Sequence, residues 1–203
     1  MSGVIHSSRS RVCAIVAAVA TPLGALGLGL VIGRLPPDAR YISEAGVAGA
    51  PHALAYRLIL FLLAVAAGAA AVGLRPVAGR AALVLGLAAP CLLVSGSVPC
   101  SAGCPLPPYE RPTAGDLVHA GASMAAVGLC TLAMLAAARW STDLRVRAGA
   151  RWAAVLMVPL GTATLAALLL AGRTPFTGVV ERLSIGLCFA WVTGASLATA
   201  RGS

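Results

Sequence analysis

The chain has 203 residues, 59% hydrophobic and only 10% charged, with a mean hydropathy of +0.92. A soluble domain carries about 25% charged residues and has too much surface for its volume to hide this much apolar side chain, so the bilayer must be the solvent for most of the chain. The net charge of +9 comes from fifteen arginines and no lysine; no soluble basic module accompanies them, so they read as membrane topology rather than as a nucleic-acid surface.

Apolar runs near 11–33, 54–74, 80–98, 117–138, 152–171 and 183–200 follow one another along the chain. Each approaches the roughly 20 residues that a helix needs to cross a hydrocarbon core of about 30 Å. The runs are continuous rather than alternating, which favours helices over strands. The expectation is an all-α, polytopic bundle of six transmembrane helices forming one domain over 1–203. Pro22, Pro90 and Pro159 fall inside runs and predict local bends. The first run follows Arg9 and Arg11, is too long for a cleaved leader and lacks a clear cleavage site, so it reads as a retained signal anchor. Gly29-x-x-x-Gly33 predicts a close helix contact.

Six crossings put both termini on one side. That side collects nine arginines (9, 11, 75, 80, 139, 145, 147, 151 and 201) and the other six, so the termini should be cytoplasmic. Five of the six acids, Asp38, Glu44, Glu110, Asp116 and Glu181, fall on the opposite side, leaving Asp143 alone.

The clearest constellation opens the fourth run. Asp116, His119 and Ser123 share one helical face. Asp116 is also placed to cap the helix, but capping does not account for His119 one turn deeper. Glu44 follows the first run, His52, Tyr56 and Arg57 open the second, and Glu181-Arg182 opens the sixth. Taken alone, each is explained more simply by an interfacial side chain reaching water. Ionisable groups at membrane depth are costly and tend to pair, and Arg57 and Arg182 are the expected counter-ions for Glu44, Asp116 or Glu181. Cys100 and Cys104 lie on the outer side, where a local disulfide can form. A zinc site built with His119 matches no familiar spacing, so neither metal nor cofactor is expected. Cys13, Cys91, Cys130 and Cys188 read as small core residues.

Six spans, Ser43-Glu44 after the first, Arg57 in the second, a Pro/Cys loop, Asp116-x-x-His119 and Glu181-Arg182 together resemble the bacterial family catalogued as domain of unknown function 998. The resemblance covers nearly the whole chain and implies a six-helix membrane fold without an activity. In size and general plan the chain is also similar to small bacterial membrane terpene cyclases.

Two functions follow as expectations. In the first, an intramembrane enzyme holds a hydrophobic, isoprenoid substrate beneath a carboxylate cap and protonates it. Glu44 or Asp116 is then the acid, His119 its partner or the final base, and Arg57 and Arg182 hold the carboxylates. Trp152, Trp191 and Phe176 would face cationic intermediates, although aromatics make up only 4% of the chain. In the second, the protein is a non-catalytic scaffold, lipid sensor or accessory subunit whose rim charges set helix register. Walker, H-E-x-x-H and G-x-S-x-G patterns are missing from the sequence.

Overall fold

The computed structural model describes residues 2–35 and 41–202, with side chains from residue 8 onward. Asp38, Arg40 and the side chain of His6 fall outside the described residues. Among those described, the chain is all-helical: α1 (Ser2–Ile32), α2 (Ala53–Ser97), α3 (Ala114–Trp140), α4 (Leu144–Leu170) and α5 (Pro175–Gly202), with a five-residue 3-10 turn at Ile42–Gly46. All five helices are long and apolar enough to cross a membrane, the architecture of a multi-pass membrane protein.

The count is five, not the six expected. The second and third apolar runs are joined in α2, a helical segment of 45 residues. As one straight rod it would be about 67 Å long, over twice the hydrocarbon thickness. It is not straight. Ala78, two residues after Pro76, leaves helical geometry at φ −149°, ψ 56°. The two halves fold back on each other. A Cβ at Gly86 would lie 3.5 Å from the Ala71 Cβ, and one at Gly96 would lie 2.8 Å from Phe61 Cε1. The bend redirects the Val77 carbonyl, which accepts from Thr142 N at 2.8 Å and from Thr142 Oγ1 at 3.2 Å. The α2 bend is therefore tied to the α3–α4 connection, where Arg80 also stacks over Trp140, 4.6 Å from its centroid.

That connection ends α3 and starts α4 by local chemistry. Asp143 caps α4, accepting from Arg145 N and Val146 N at 2.8 and 2.9 Å. This satisfies two of the four donors that a helix start leaves free. Arg147 donates to the Ser141 carbonyl.

Small residues set the packing. The main core is rich in alanine and closes around Leu74, Leu85, Met134, Met157 and Trp191. A Cβ at Gly73 would lie 3.0 Å from the Ala14 Cα, so α1 and α2 meet backbone to backbone. The Gly29–Gly33 pair does not perform this role. A Cβ at Gly29 meets nothing within 4 Å, and one at Gly33 meets only carbonyls of its own helix. A second core, of Leu28, Val31, Ile42, Tyr56, Leu60 and Leu63, joins α1 and α2 to the 3-10 turn.

Candidate functional site

At the end of the bundle opposite the Val77–Thr142 tie, three loops converge and their polar groups interlock. Thr113 caps α3 and Asp116 answers it as a capping box. Asp116 is 1% exposed. Its Oδ2 accepts from Thr113 N and Oγ1, both at 2.7 Å. Its Oδ1 accepts from Ser101 N at 2.6 Å, and Ser101 Oγ reaches both oxygens. The carboxylate thus pins the 99–104 loop to the start of α3, and its lone pairs are committed as an anion. The expected acid role for Asp116 is not what this geometry favours.

Glu44 is likewise committed. Its Oε1 accepts from Tyr41 N at 2.9 Å, and Arg173 meets it bidentately through Nε at 3.1 Å and Nη2 at 2.5 Å. Among the described residues the counter-ion of Glu44 is Arg173, on the α4–α5 connection, while Arg182 is the cation whose charge acts on Glu181. Glu181 differs. It sits in the second turn of α5, and its Oε2 accepts from Ile42 N at 3.0 Å, which docks the 3-10 turn onto α5. Burial, reinforced by nearby carboxylates, pushes the Tyr41 phenol up to about 12, so Tyr41 stays neutral at the cap.

His119 is 3% exposed and its two ring nitrogens have different fates. Nδ1 lies 2.8 Å from both the Ser95 and the Val98 carbonyl oxygens. Pro99 has no N–H to give Ser95 four residues back, so that carbonyl at the end of α2 would otherwise be an orphan. Two acceptors on Nδ1 require it to carry the proton, which leaves Nε2 as an acceptor in the neutral ring. Nε2 is buried and has no partner among the described residues.

Beneath this cap lies a cavity of about 660 Å³, within the roughly 300–1,000 Å³ of small-molecule sites. Asp116, His119, Ser123 and Glu181 all line it, as do Tyr41, Tyr56 and Ser95. Ser123 Oγ pairs with Ser95 Oγ at 2.8 Å. Also in the wall, Thr21 Oγ1 is a second buried polar atom without a partner among the described residues. The remaining lining is overwhelmingly apolar: Leu28, Leu60, Leu63, Leu85, Met157 and Phe189 represent it.

Other nominated residues lie elsewhere. Ser43 lines the cavity and Glu44, next to it in the chain, does not. Arg57 has a buried Nε without a partner among the described residues and is not in the wall. Arg182 is half-buried beside Glu181, also off the wall. Trp191 is buried in the main core, while Trp152 and Phe176 are 72% and 59% exposed. None of these three rings lines the cavity; the aromatics that do are Tyr41, Tyr56 and Phe189. Cys100 and Cys104 are joined in a disulfide and pack with Tyr41 over the cavity's outer end. Among the described residues, no group of three His, Cys, Asp or Glu side chains is placed to hold a metal ion.

The sequence reading missed Arg173, Tyr41, Ser95 and Thr21. Arg173 was one of several arginines on the correct side, and no spacing rule links it to Glu44. The acceptors of His119 are backbone carbonyls, and Pro99 was the one visible sign that Ser95 would need a donor.

Comparison with curated proteins and with solved structures gives no match. Residues 15–198, nearly the whole chain, match the family described as protein of unknown function DUF998, and the chain belongs to that family.

Proposed function

We propose that this is a membrane enzyme that binds a lipid-soluble, isoprenoid molecule in the cavity and moves protons at its polar end, with Glu181 as acid and His119 as base. The observation that carries the reading is the lone, buried Nε2 of His119 on the wall of an apolar cavity. A buried acceptor without a partner costs about 1–3 kcal/mol, a cost that a bound donor would offset. Glu181, with one described hydrogen bond, retains a second oxygen that can carry a proton. Glu181 protonating one olefin carbon, and the molecule's own hydroxyl closing on the resulting cation as its proton passes to His119 Nε2, leave the mass unchanged, as in cyclisation. Tyr41, Tyr56 and Phe189 supply the ring faces nearest the chain. Glu44 and Asp116 hold the cap closed.

The same proposal places the chain in a bacterial cell membrane with six crossings, two of them from the halves of α2. The arginine-rich end and both termini face the cytoplasm, by arginine excess.

Vesicles bearing the protein, fed a panel of prenylated compounds, should yield isomers of unchanged mass. His119→Asn keeps an N–H for the Ser95 carbonyl and removes Nε2. Glu181→Gln keeps an acceptor for Ile42 N. Each should lower turnover about 100-fold or more at normal yield and stability. Unchanged turnover in both variants would overturn the assignment. A second reading, a lipid-binding sensor or scaffold without turnover, is favoured by the complete bonding of Asp116 and Glu44. It is the outcome if a native lipid co-purifies, is lost in His119→Asn, and no substrate in the panel is altered.

A further inference from the structure

We infer that the cavity is filled sideways from the bilayer, through the seam between α3 and α4, by a single-chain amphipathic molecule whose head donates a hydrogen bond to His119. The inference rests on the reading above that the cavity holds a lipid-soluble molecule, and adds how it gets in and what its head must be.

The cavity's described lining residues fall into two groups. Met124, Gly128 and Leu132 on α3 and Val158, Thr162 and Leu165 on α4 are exposed; every other described lining residue is buried or half-buried. The exposed six are not scattered. Their spacings, four and four on α3, four and three on α4, each trace one helical stripe. Met124 and Leu132 are 47% and 54% exposed, and Val158 and Leu165 are 48% and 54%. All four touch the cavity and the outside at once. Cβ atoms at Gly128 and Gly161, both on the wall, would meet nothing within 4 Å. The seam is therefore an opening, and small residues keep it wide.

Both ends of the cavity are closed among the described residues. Tyr41, Cys100 and Cys104 pack together with Leu106 and Leu168 over the outer end. At the other end Leu85, Cys130, Met157, Cys188 and Val192 belong to the main core. The opening lies along two helices apolar enough to span a membrane, so what faces it is lipid. A molecule arriving from there needs a flexible apolar chain to follow the wall. Its head meets His119, whose Nδ1 proton is committed to two carbonyls; only a donor, of which a hydroxyl is the simplest, complements Nε2.

The test uses the full chain in phosphatidylethanolamine–phosphatidylglycerol vesicles and a long-chain alcohol carrying a diazirine on its chain. Irradiation should place adducts on cavity residues such as Met157 and Leu63. Gly128→Trp and Gly161→Trp fill the seam and should reduce those adducts at least fivefold; the series Gly128→Ala, Leu, Phe should reduce them in steps. Gly186→Trp and Gly194→Trp, at sites on α5 that also face open space, should label like the wild type. The methyl ether of the same probe, with no donor, should label at least fivefold less than the alcohol, and His119→Asn should erase that difference. Equal labelling in the seam variants and the wild type overturns the route and leaves the cavity reading standing. Equal labelling by alcohol and ether overturns the head assignment. Absence of cavity adducts in the wild type overturns both readings. A change of oligomeric state in Gly128→Trp, seen by cross-linking, assigns the seam to a second copy of the chain and overturns the route.

Discussion

Asp116→Asn separates a brace from a catalyst. The carboxylate takes two backbone N–H groups, Ser101 on Oδ1 and Thr113 on Oδ2. Asparagine offers one oxygen and one amide nitrogen. Whichever way it is turned, its NH₂ faces one of those donors, and one backbone N–H loses its acceptor. An orphaned donor costs about 1–3 kcal/mol, and the surviving bonds change from charge-assisted to neutral, losing roughly 1 kcal/mol each. Ser101 and Thr113 are themselves exposed, so water recovers part of this, and the expected net loss is about 2–3 kcal/mol. Denaturation in mixed detergent micelles measures it, with the 99–104 loop becoming more accessible to protease. A variant within about 0.5 kcal/mol of the wild type that nonetheless loses ligand or turnover would refute the reasoning, because the side chain would then act on the bound molecule and not on the loop.

Four other outcomes are expected. Glu44→Gln keeps the bond from Tyr41 N and loses the ion pair; with Arg173 28% and Glu44 10% exposed, the cost should be about 1–2 kcal/mol, between exposed and buried pairs, as read in the same unfolding assay. Gly73→Val drives a branched side chain into the Ala14 backbone; a loss of about 2–3 kcal/mol in thermal denaturation is expected, whereas the same change at Gly29 should cost far less. Alkylation of the denatured, unreduced chain should modify four thiols, Cys13, Cys91, Cys130 and Cys188, and six after reduction; six before reduction would exclude the Cys100–Cys104 bond. Membrane-impermeant thiol reagents should reach Pro51→Cys and Ala102→Cys from one side and Gly79→Cys from the other. If all three are reached from one side, α2 does not cross twice.

Much of the fold was legible because the bilayer imposes a length on each apolar run. The fourth run lies within three residues of α3 at both ends and the fifth and sixth end within two residues of α4 and α5, but those two helices begin eight residues earlier than their runs, because polar and charged residues extend each helix ahead of its apolar stretch. The helix count was not legible, since the second and third runs meet at a bend confined to Pro76–Ala78, and nothing in a hydropathy profile distinguishes a tight bend from a loop. At the site, Asp116, His119 and Ser123 were found together because helical spacing fixes one face. Glu181 was found through its place at the head of a run. The misassigned partners share one cause: which arginine meets Glu44, and which ring faces the interior, depends on how helices rotate about their axes. Phe176 and Trp152 were chosen for chemistry alone, and the rotation of α5 and α4 turns them outward.

The bond from Thr142 N to the Val77 carbonyl has a mechanical consequence. It anchors the short link between α3 and α4 to the floor of the bundle, so the two helices are joined there like the arms of tweezers. Any widening between them must grow with distance from that pivot. A bulky guest can spread the arms without disturbing the arginine-bearing base, and the recoil of the same arms would press it toward His119.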